Sequence, residues 1–215
     1  MRIAFVHNVH NRYKTLLETI KAERELYPDS DIYVMYNLKT INFDLFEGIE
    51  NIQFFYYTDT THKLACANGC VLGFKKAIQK EYDVIMFSHD DVRVNKEYVD
   101  VLKSNVEMIA TGEANVICRK PNNIYGDNYI MMEAFMIDGE YAKQVFSEAT
   151  TISRENQLPR DVRESLSPEV FLSNIIDSEN MIEKRYHHKI EDYNITLGET
   201  MGFYHKNIGI RGWKD

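Results

Sequence analysis

Val84-Ile85-Met86-Phe87-Ser88-His89-Asp90-Asp91-Val92 is the stretch that decides how this chain folds. Four large apolar residues in succession suit a strand covered on both faces, and such strands belong to parallel sheets wrapped by helices. The run then stops at a polar group that ends in two adjacent carboxylates. Working back from it, Ala67, Val71, Phe74 and Ile78 recur at helical spacing and form one apolar stripe. Ile52 to Tyr57 is β-branched and aromatic, as strands prefer. Ile32 to Tyr36 is another apolar run, set off from what precedes it by Pro28 and Asp29-Ser30-Asp31. Tyr13, Leu16, Leu17 and Ile20 mark a first helix, and Ile3 to Val6 a first strand. Strand, helix, strand, strand, helix, strand predicts a Rossmann-like, mostly parallel α/β sheet flanked by helices.

In an open sheet of that kind, ligands bind beyond the carboxyl ends of the strands. The polar groups at those ends are His7 to Arg12, Tyr36-Asn37, Thr58 to Lys63, and His89 to Asp91. All four are expected to face one crevice.

Downstream the character changes. Asn115 to Cys118 and Tyr129 to Ile137 read as strands, and Tyr141, Ala142, Val145 and Phe146 as a helix stripe. Ser147 to Ser167 is polar and charged, without a period. Ser167-Pro168 then suits a helix start, with serine as N-cap and proline at the first helical position. Phe171, Leu172, Ile175 and Ile176 would be its buried face. The tail from His187 to Asp215 is rich in His, Tyr and Gly, and the chain has no internal repeat.

A chain of 215 residues is long enough for one sizeable core, with roughly 70% of the unfolded surface buried. The expected organisation is a single domain in two halves, residues 1–95 for ligand binding and 96–215 as a mixed second half. Acidic side chains outnumber basic ones 33 to 25, giving a net charge of −8. That balance argues against a protein that wraps nucleic acid through a basic face. Cys66, Cys70 and Cys118 are too few for a disulfide framework and lack the companions of a zinc site. They read as small core residues of a reducing compartment. The N-terminus enters a strand at once, without a signal-peptide h-region, and no apolar run approaches the ~20 residues of a membrane span. A cytoplasmic protein is expected.

Two carboxylates where an apolar strand runs out repel each other unless positive charge lies beside them. A divalent cation with hard oxygen ligands would supply it, and would in turn accept diphosphate oxygens. The plain alternative is that Asp90 and Asp91 cap the next helix or lie in a solvated turn.

Three segments carry a resemblance. Asn8-Val9-His10-Asn11-Arg12 is similar to a Pro-Val-Tyr-Asn-Arg sequence at the end of a first strand. Lys63 through Asn68, followed by Gly69 and a helix, is similar to a Gly-Lys-Gly-x-x-x-Asn-x-Gly stretch, and Val84 to Val92 to a strand leading into an Asp-x-Asp motif. In this order and spacing they make the chain resemble the GT-A fold glycosyltransferases, closest to the large inverting family 2 group.

The resemblance implies a metal-dependent enzyme moving a sugar from a nucleoside-diphosphate donor, UDP-linked with glucose as the sugar, to a glycan or other hydroxyl acceptor. It implies that His10 stacks on the base and that Asn37 falls where the family often has an acid reading the uracil edge. Lys63 and Asn68 would lie near the ribose and diphosphate. Asp90 would belong to the donor site, and Asp91 would ligate Mn²⁺ or Mg²⁺. His89 replaces the first acid of the motif. A histidine near the C-terminus closes over the donor in many GT-A enzymes. His205 is the best match, with Lys206 and Arg211 available for the diphosphate and His187-His188 as the competitor.

Inverting transfer needs a general base for the acceptor hydroxyl. Glu169, just after Ser167-Pro168, fits the position the family uses, although a carboxylate in a first helical turn also favours the helix dipole. Glu133, Asp138 and Asp192 are reserves. Trp213, the single tryptophan, suits a sugar ring or the core. Two other readings stand beside the transferase. A sugar nucleotidyltransferase should show a Gly-rich loop after the first strand, and His7 to Arg12 has no glycine. A non-catalytic nucleotide-sugar-binding module fits His89 in place of an acid.

Overall fold

β1 (Ile3–Val9) is buried along its whole length in the computed structural model. The structure describes residues 1–37, 41–58, 62–119, 134–147, 149, 151, 195–198 and 203–205, with 62–64, 119, 195–198 and 203–205 described by backbone alone. The run expected over Ile3 to Val6 continues to Val9, because Tyr36 and His89 at the ends of the neighbouring strands hold its last residues in register.

After α1 (Tyr13–Leu26) come β2 (Asp31–Tyr36), β3 (Ile52–Tyr56), α2 (His62–Ala77) and β4 (Val84–His89). This is the alternation expected from the sequence. Two helices of the second half follow, α3 (Val99–Ala110) and α4 (Gly139–Phe146), with strands β6 (Val116–Arg119) and β7 (Ala134–Asp138) between them. The main sheet runs β3-β2-β1-β4-β7-β6-β8, with β8 (Ile195–Gly198) at its far edge. β1 is parallel to both β2 and β4, whereas β7 is antiparallel to β4 and to β6. A separate ladder pairs the short β5 (Val92–Val94) antiparallel with β9 (Phe203–His205).

The core sits on both faces of the central strands. α1 covers the face carrying His7. α2 covers the face carrying Val6 and Asn8, and it comes close because it is built of small residues there. A Cβ on Gly73 would collide with Val6 Cγ1, and one on Gly69 with the Asn8 side chain. Phe74 of α2 stacks on Phe146 of α4 at 4.1 Å between ring centroids, with Phe87 and Phe135 completing an aromatic cluster. Leu102, Val106 and Ile109 bury the inner face of α3. Cys66, Cys70 and Cys118 are free and buried, as expected. No helix among the described residues is long and apolar enough to cross a membrane.

Because β1 and β4 are neighbours while α1 and α2 leave to opposite faces, the carboxyl ends of these two strands are where an open sheet of this kind takes a ligand. The helix expected after Ser167-Pro168 and the polar stretch 152–167 lie outside the described residues, as do residues 129–133 of the strand expected over Tyr129 to Ile137.

Candidate functional site

The loop leaving β1 has little of its own to hold it. Arg12, the N-cap of α1, offers no side-chain cap, and the first turn of the helix has no acidic residue. The exposed backbone donors of a helix start need acceptors. Asp90, at the end of β4, supplies one. Its Oδ2 accepts the backbone N–H groups of His10, Asn11 and Arg12, each at 2.8 Å. Its own backbone N–H donates to the Asn8 carbonyl at 3.2 Å. Asp90 therefore does cap a helix, but one that precedes it by most of the first half of the chain rather than the next one. The carboxylate is buried, and its charge also faces the positive end of the helix dipole.

A second knot fixes the start of α2. Asn8 Nδ2 donates to the carbonyls of Ala65 and Cys66 at 3.1 and 3.2 Å. The Tyr57 hydroxyl is shared between Asn8 Oδ1 at 2.8 Å and the Ala65 carbonyl at 2.7 Å. Asn8 thus joins the exit of β1 to the turn of α2 that follows Lys63, and Asn68 is buried just before Gly69 on the same helix.

His7 and Asn8 do not face the crevice as the sequence suggested. On a strand, alternate residues point to opposite faces, so His7 turns under α1 and Asn8 toward α2. His7 Nδ1 lies 2.9 Å from Ser88 Oγ and Nε2 lies 2.9 Å from Glu23 Oε2, all buried. Burial pushes the Glu23 carboxyl up, against the opposing pull of His7. This cluster is structural, joining α1 to β1 and β4.

At the rim itself, His10 and Asn37 are partly buried at the ends of β1 and β2, and Asp91 is partly buried in the turn from β4 to β5. His89 packs edge-on against Phe87 at 5.3 Å. The β5–β9 register sets the His205 backbone opposite Val92, next to Asp91 in the chain. Directly opposed residues in an antiparallel ladder have Cα atoms about 4.5–5.5 Å apart, so the pairing carries His205 from the far tail to this corner. Lys63 lies in the first turn of α2. Asp138 accepts the Tyr141 N–H at 2.8 Å as the N-cap of α4, at the opposite end of the sheet from Asp90, so it is a capping residue. Glu169, Arg211, Glu133, Asp192, His187, His188, Lys206 and Trp213 lie outside the described residues. Among the described residues, no three His, Cys, Asp or Glu side chains gather as a metal-binding group.

Tyr13 was legible only as part of the apolar stripe of α1. Its hydroxyl is shielded from solvent and has no hydrogen-bond partner among the described residues, and the same holds for Asn37 Oδ1. Burial raises the Tyr13 pKa, and the negative charge of Asp90 and the nearby Tyr36 add to the shift.

No protein-family model matches the chain, and no curated protein matches its sequence. Among solved structures, TarS of S. aureus superposes with a TM-score of 0.55 at 10% identity over 95% of this chain, which spans 36% of TarS. An active-site mutant of LgtC gives 0.49 at 11% identity, covering 92% of this chain and 72% of that one. A putative glucose-1-phosphate thymidylyltransferase from Bacillus anthracis gives 0.49 at 10% identity, covering 93% and 86%. At such identities the likeness speaks to fold alone. The arrangement is the GT-A type expected from the sequence, a helix-flanked, mostly parallel sheet with a mixed second half.

Proposed function

We propose that the chain is a metal-dependent glycosyltransferase whose donor is a nucleoside-diphosphate sugar. The observation that carries this reading is the β5–β9 ladder, which brings the backbone of His205 opposite Val92, beside Asp91, where β4 gives out. A carboxylate and an imidazole at one corner form a donor set suited to Mn²⁺, and Mg²⁺ would lean more on the carboxylate. Asp91 and His205 would hold the ion, which when bound neutralises the charge growing on the leaving diphosphate.

The remaining roles follow the crevice. His10 and Asn37 meet the nucleoside from the ends of β1 and β2. Lys63, Asn68 and Arg211 serve the ribose and diphosphate. Asp90 serves the donor indirectly, by fixing the loop that carries His10. Glu169 takes the proton of the acceptor hydroxyl as its oxygen bonds to the anomeric carbon and the bond to the diphosphate breaks, with inversion. The donor is UDP-linked, with glucose as the sugar, and the acceptor is a glycan or another hydroxyl compound.

Release of UDP from UDP-glucose, with and without Mn²⁺, tests the reading. Mn²⁺-dependent release that is lost in Asp91→Asn supports it. Glu169→Gln should still bind UDP yet fail to transfer. Binding of UDP with no turnover under any acceptor would make the chain a nucleotide-sugar-binding module, and no Mn²⁺-dependent UDP binding at all would remove the donor.

A further inference from the structure

Among the described residues β3 ends the sheet, with β2 on one side and no strand on the other. Its inner edge is satisfied. Ile32 donates its N–H to the Asn51 carbonyl at 2.9 Å, and Tyr57 donates to the Tyr36 carbonyl at 3.0 Å. Ile32 to Tyr36 run in parallel register with Ile52 to Tyr56, so Asn51, Gln53, Phe55 and Tyr57 turn their backbone groups toward β2. Those groups alternate in direction along a strand, and Ile52, Phe54 and Tyr56 therefore turn theirs outward.

Such an edge is a template for another strand unless a charge, a proline or a bulge guards it. Ile52-Gln53-Phe54-Phe55-Tyr56 has no charge and no proline, and its register with β2 is unbroken. Its composition suits strand pairing. Exposed aromatic side chains lie beside it. Phe43, 48% exposed, meets Phe54 edge-on at 5.1 Å, and Tyr56, 47% exposed, packs on Tyr36 at 5.5 Å. Phe54 is in register with Val34, and Val34 with His7, so this ledge is on the face that α1 covers.

The edge is complementary to itself. A two-fold axis beside Phe54 sets Phe54 against Phe54 of a second copy and Ile52 against its Tyr56. In each of these pairs both residues point their backbone groups outward, so every outward N–H finds an outward carbonyl. An axis perpendicular to the sheet also keeps the faces in common, which brings the two aromatic ledges side by side. An extended peptide could take up the backbone groups, but a second copy also carries the matching ledge.

We propose that the outer edge of β3 is a homodimer interface, in which two copies pair β3 antiparallel about an axis at Phe54 and join their sheets into one. The pairing is closed, since it uses up the same edge in both copies. The two copies then present the carboxyl ends of β1 and β4 in opposite directions.

Sedimentation of the full chain across a concentration series, with amide-resolved hydrogen exchange at both ends of the series, tests this. Expected is a reversible monomer–dimer equilibrium. The amides of Ile52, Phe54 and Tyr56 should exchange at least about tenfold faster in the dilute sample, where one hydrogen bond of protection is lost. Those of Gln53, Phe55 and Tyr57 should stay protected in both. Tyr56→Pro removes an outward N–H that the chain itself does not use, and Tyr56→Lys keeps the N–H but sets a charge on the ledge. Each should weaken dimerisation about tenfold or more, with the Gln53 and Phe55 amides still protected as the sign that β3 remains paired with β2. A chain that is monomeric at every concentration overturns the proposal. A dimer that both variants leave intact, or whose outward amides exchange alike at both concentrations, overturns it too, because another surface would then be in use. Outward amides protected in the monomer would assign the edge to a segment of the same chain, and equally overturn it.

Discussion

Asp90 Oδ2 lies 2.8 Å from the backbone nitrogen of Arg12, the residue that opens α1, and accepts its N–H. The same oxygen serves His10 and Asn11, so one buried carboxylate holds an entire loop against the end of β4. Asp90→Ala should lower stability by about 2–4 kcal/mol, since three donors lose a charged acceptor in a shielded place. For a chain of this size that is roughly 5–15 °C in melting temperature. Asp90→Asn keeps a carbonyl oxygen and should lose less than half as much. Thermal melting of both variants checks the ranking, and an alanine variant that melts with the wild type would mean that the loop is held by something else.

The first half of the sheet was legible because β1, β2 and β4 are apolar runs covered on both faces, the edge strand β3 is β-branched and aromatic, and each helix shows its stripe. β5 was not, since Val92–Val94 is too short to register as a run and its partner β9 lies more than a hundred residues on. α3 was overlooked although Leu102, Val106 and Ile109 repeat at helical spacing. Its signal was there to be read. The site was legible only in part. His10, Asn37 and Asp91 lie just beyond the ends of β1, β2 and β4, because the apolar runs stop there. The capping by Asp90 could not be read, because a helix cap supplied from a distant strand leaves no local pattern. His7 was misjudged for a different reason. The period of two fixes which side it takes, but only the tertiary structure reveals that α1 covers that side with Glu23.

Gly69 is where α2 closes on β1. A Cβ there would overlap Oδ1, Cγ and Nδ2 of Asn8, whose bonds to Ala65, Cys66 and Tyr57 fix its side chain in place. Gly69→Ala should therefore cost about 1–3 kcal/mol through overpacking, despite alanine's better helix propensity. Urea unfolding measures it. Asn8→Ala combined with Gly69→Ala should cost less than the two single changes added together, because the overlap is with the side chain that Asn8→Ala removes. Strict additivity would place the collision elsewhere.

Asp31 opens β2 and faces a small network. Its carboxylate accepts from the Tyr82 hydroxyl at 2.5 Å and from Lys80 at 3.1 Å, and Tyr33 bonds Tyr82 at 2.8 Å. Burial works to raise the Asp31 pKa, but the bonds from Tyr82 and Lys80 and the charges of Lys80 and Arg2 together outweigh it and lower the pKa below 3.8. A carboxyl held low contributes stability above its ordinary pKa and loses it as pH falls through the folded value. Tyr82→Phe removes the hydroxyl that helps hold it low. The variant should be less stable than wild type near pH 6, with the gap narrowing toward pH 2.5, as read from urea midpoints. A gap that stays constant with pH would detach Tyr82 from the titration of Asp31.

Glu23 gives the opposite sign. Its carboxyl is fully buried, Oε2 meets His7 at 2.9 Å, and Oε1 has no hydrogen-bond partner among the described residues. Burial raises its pKa above 4.5 even though His7 pulls it down. A carboxyl raised by folding contributes its full stability below its ordinary pKa. That contribution is lost as pH climbs through the folded value, because the buried group must then either stay protonated against the solvent pH or carry an ill-solvated charge. Glu23→Gln keeps the shape and an oxygen for His7 but cannot ionise. Its stability relative to wild type should therefore improve steadily as pH rises from 4 toward 8, whatever the offset at pH 4. Melting temperatures across that range read the slope directly. Parallel curves for the two proteins would show that folding does not raise the Glu23 pKa, and would detach Glu23 from the pH dependence of stability.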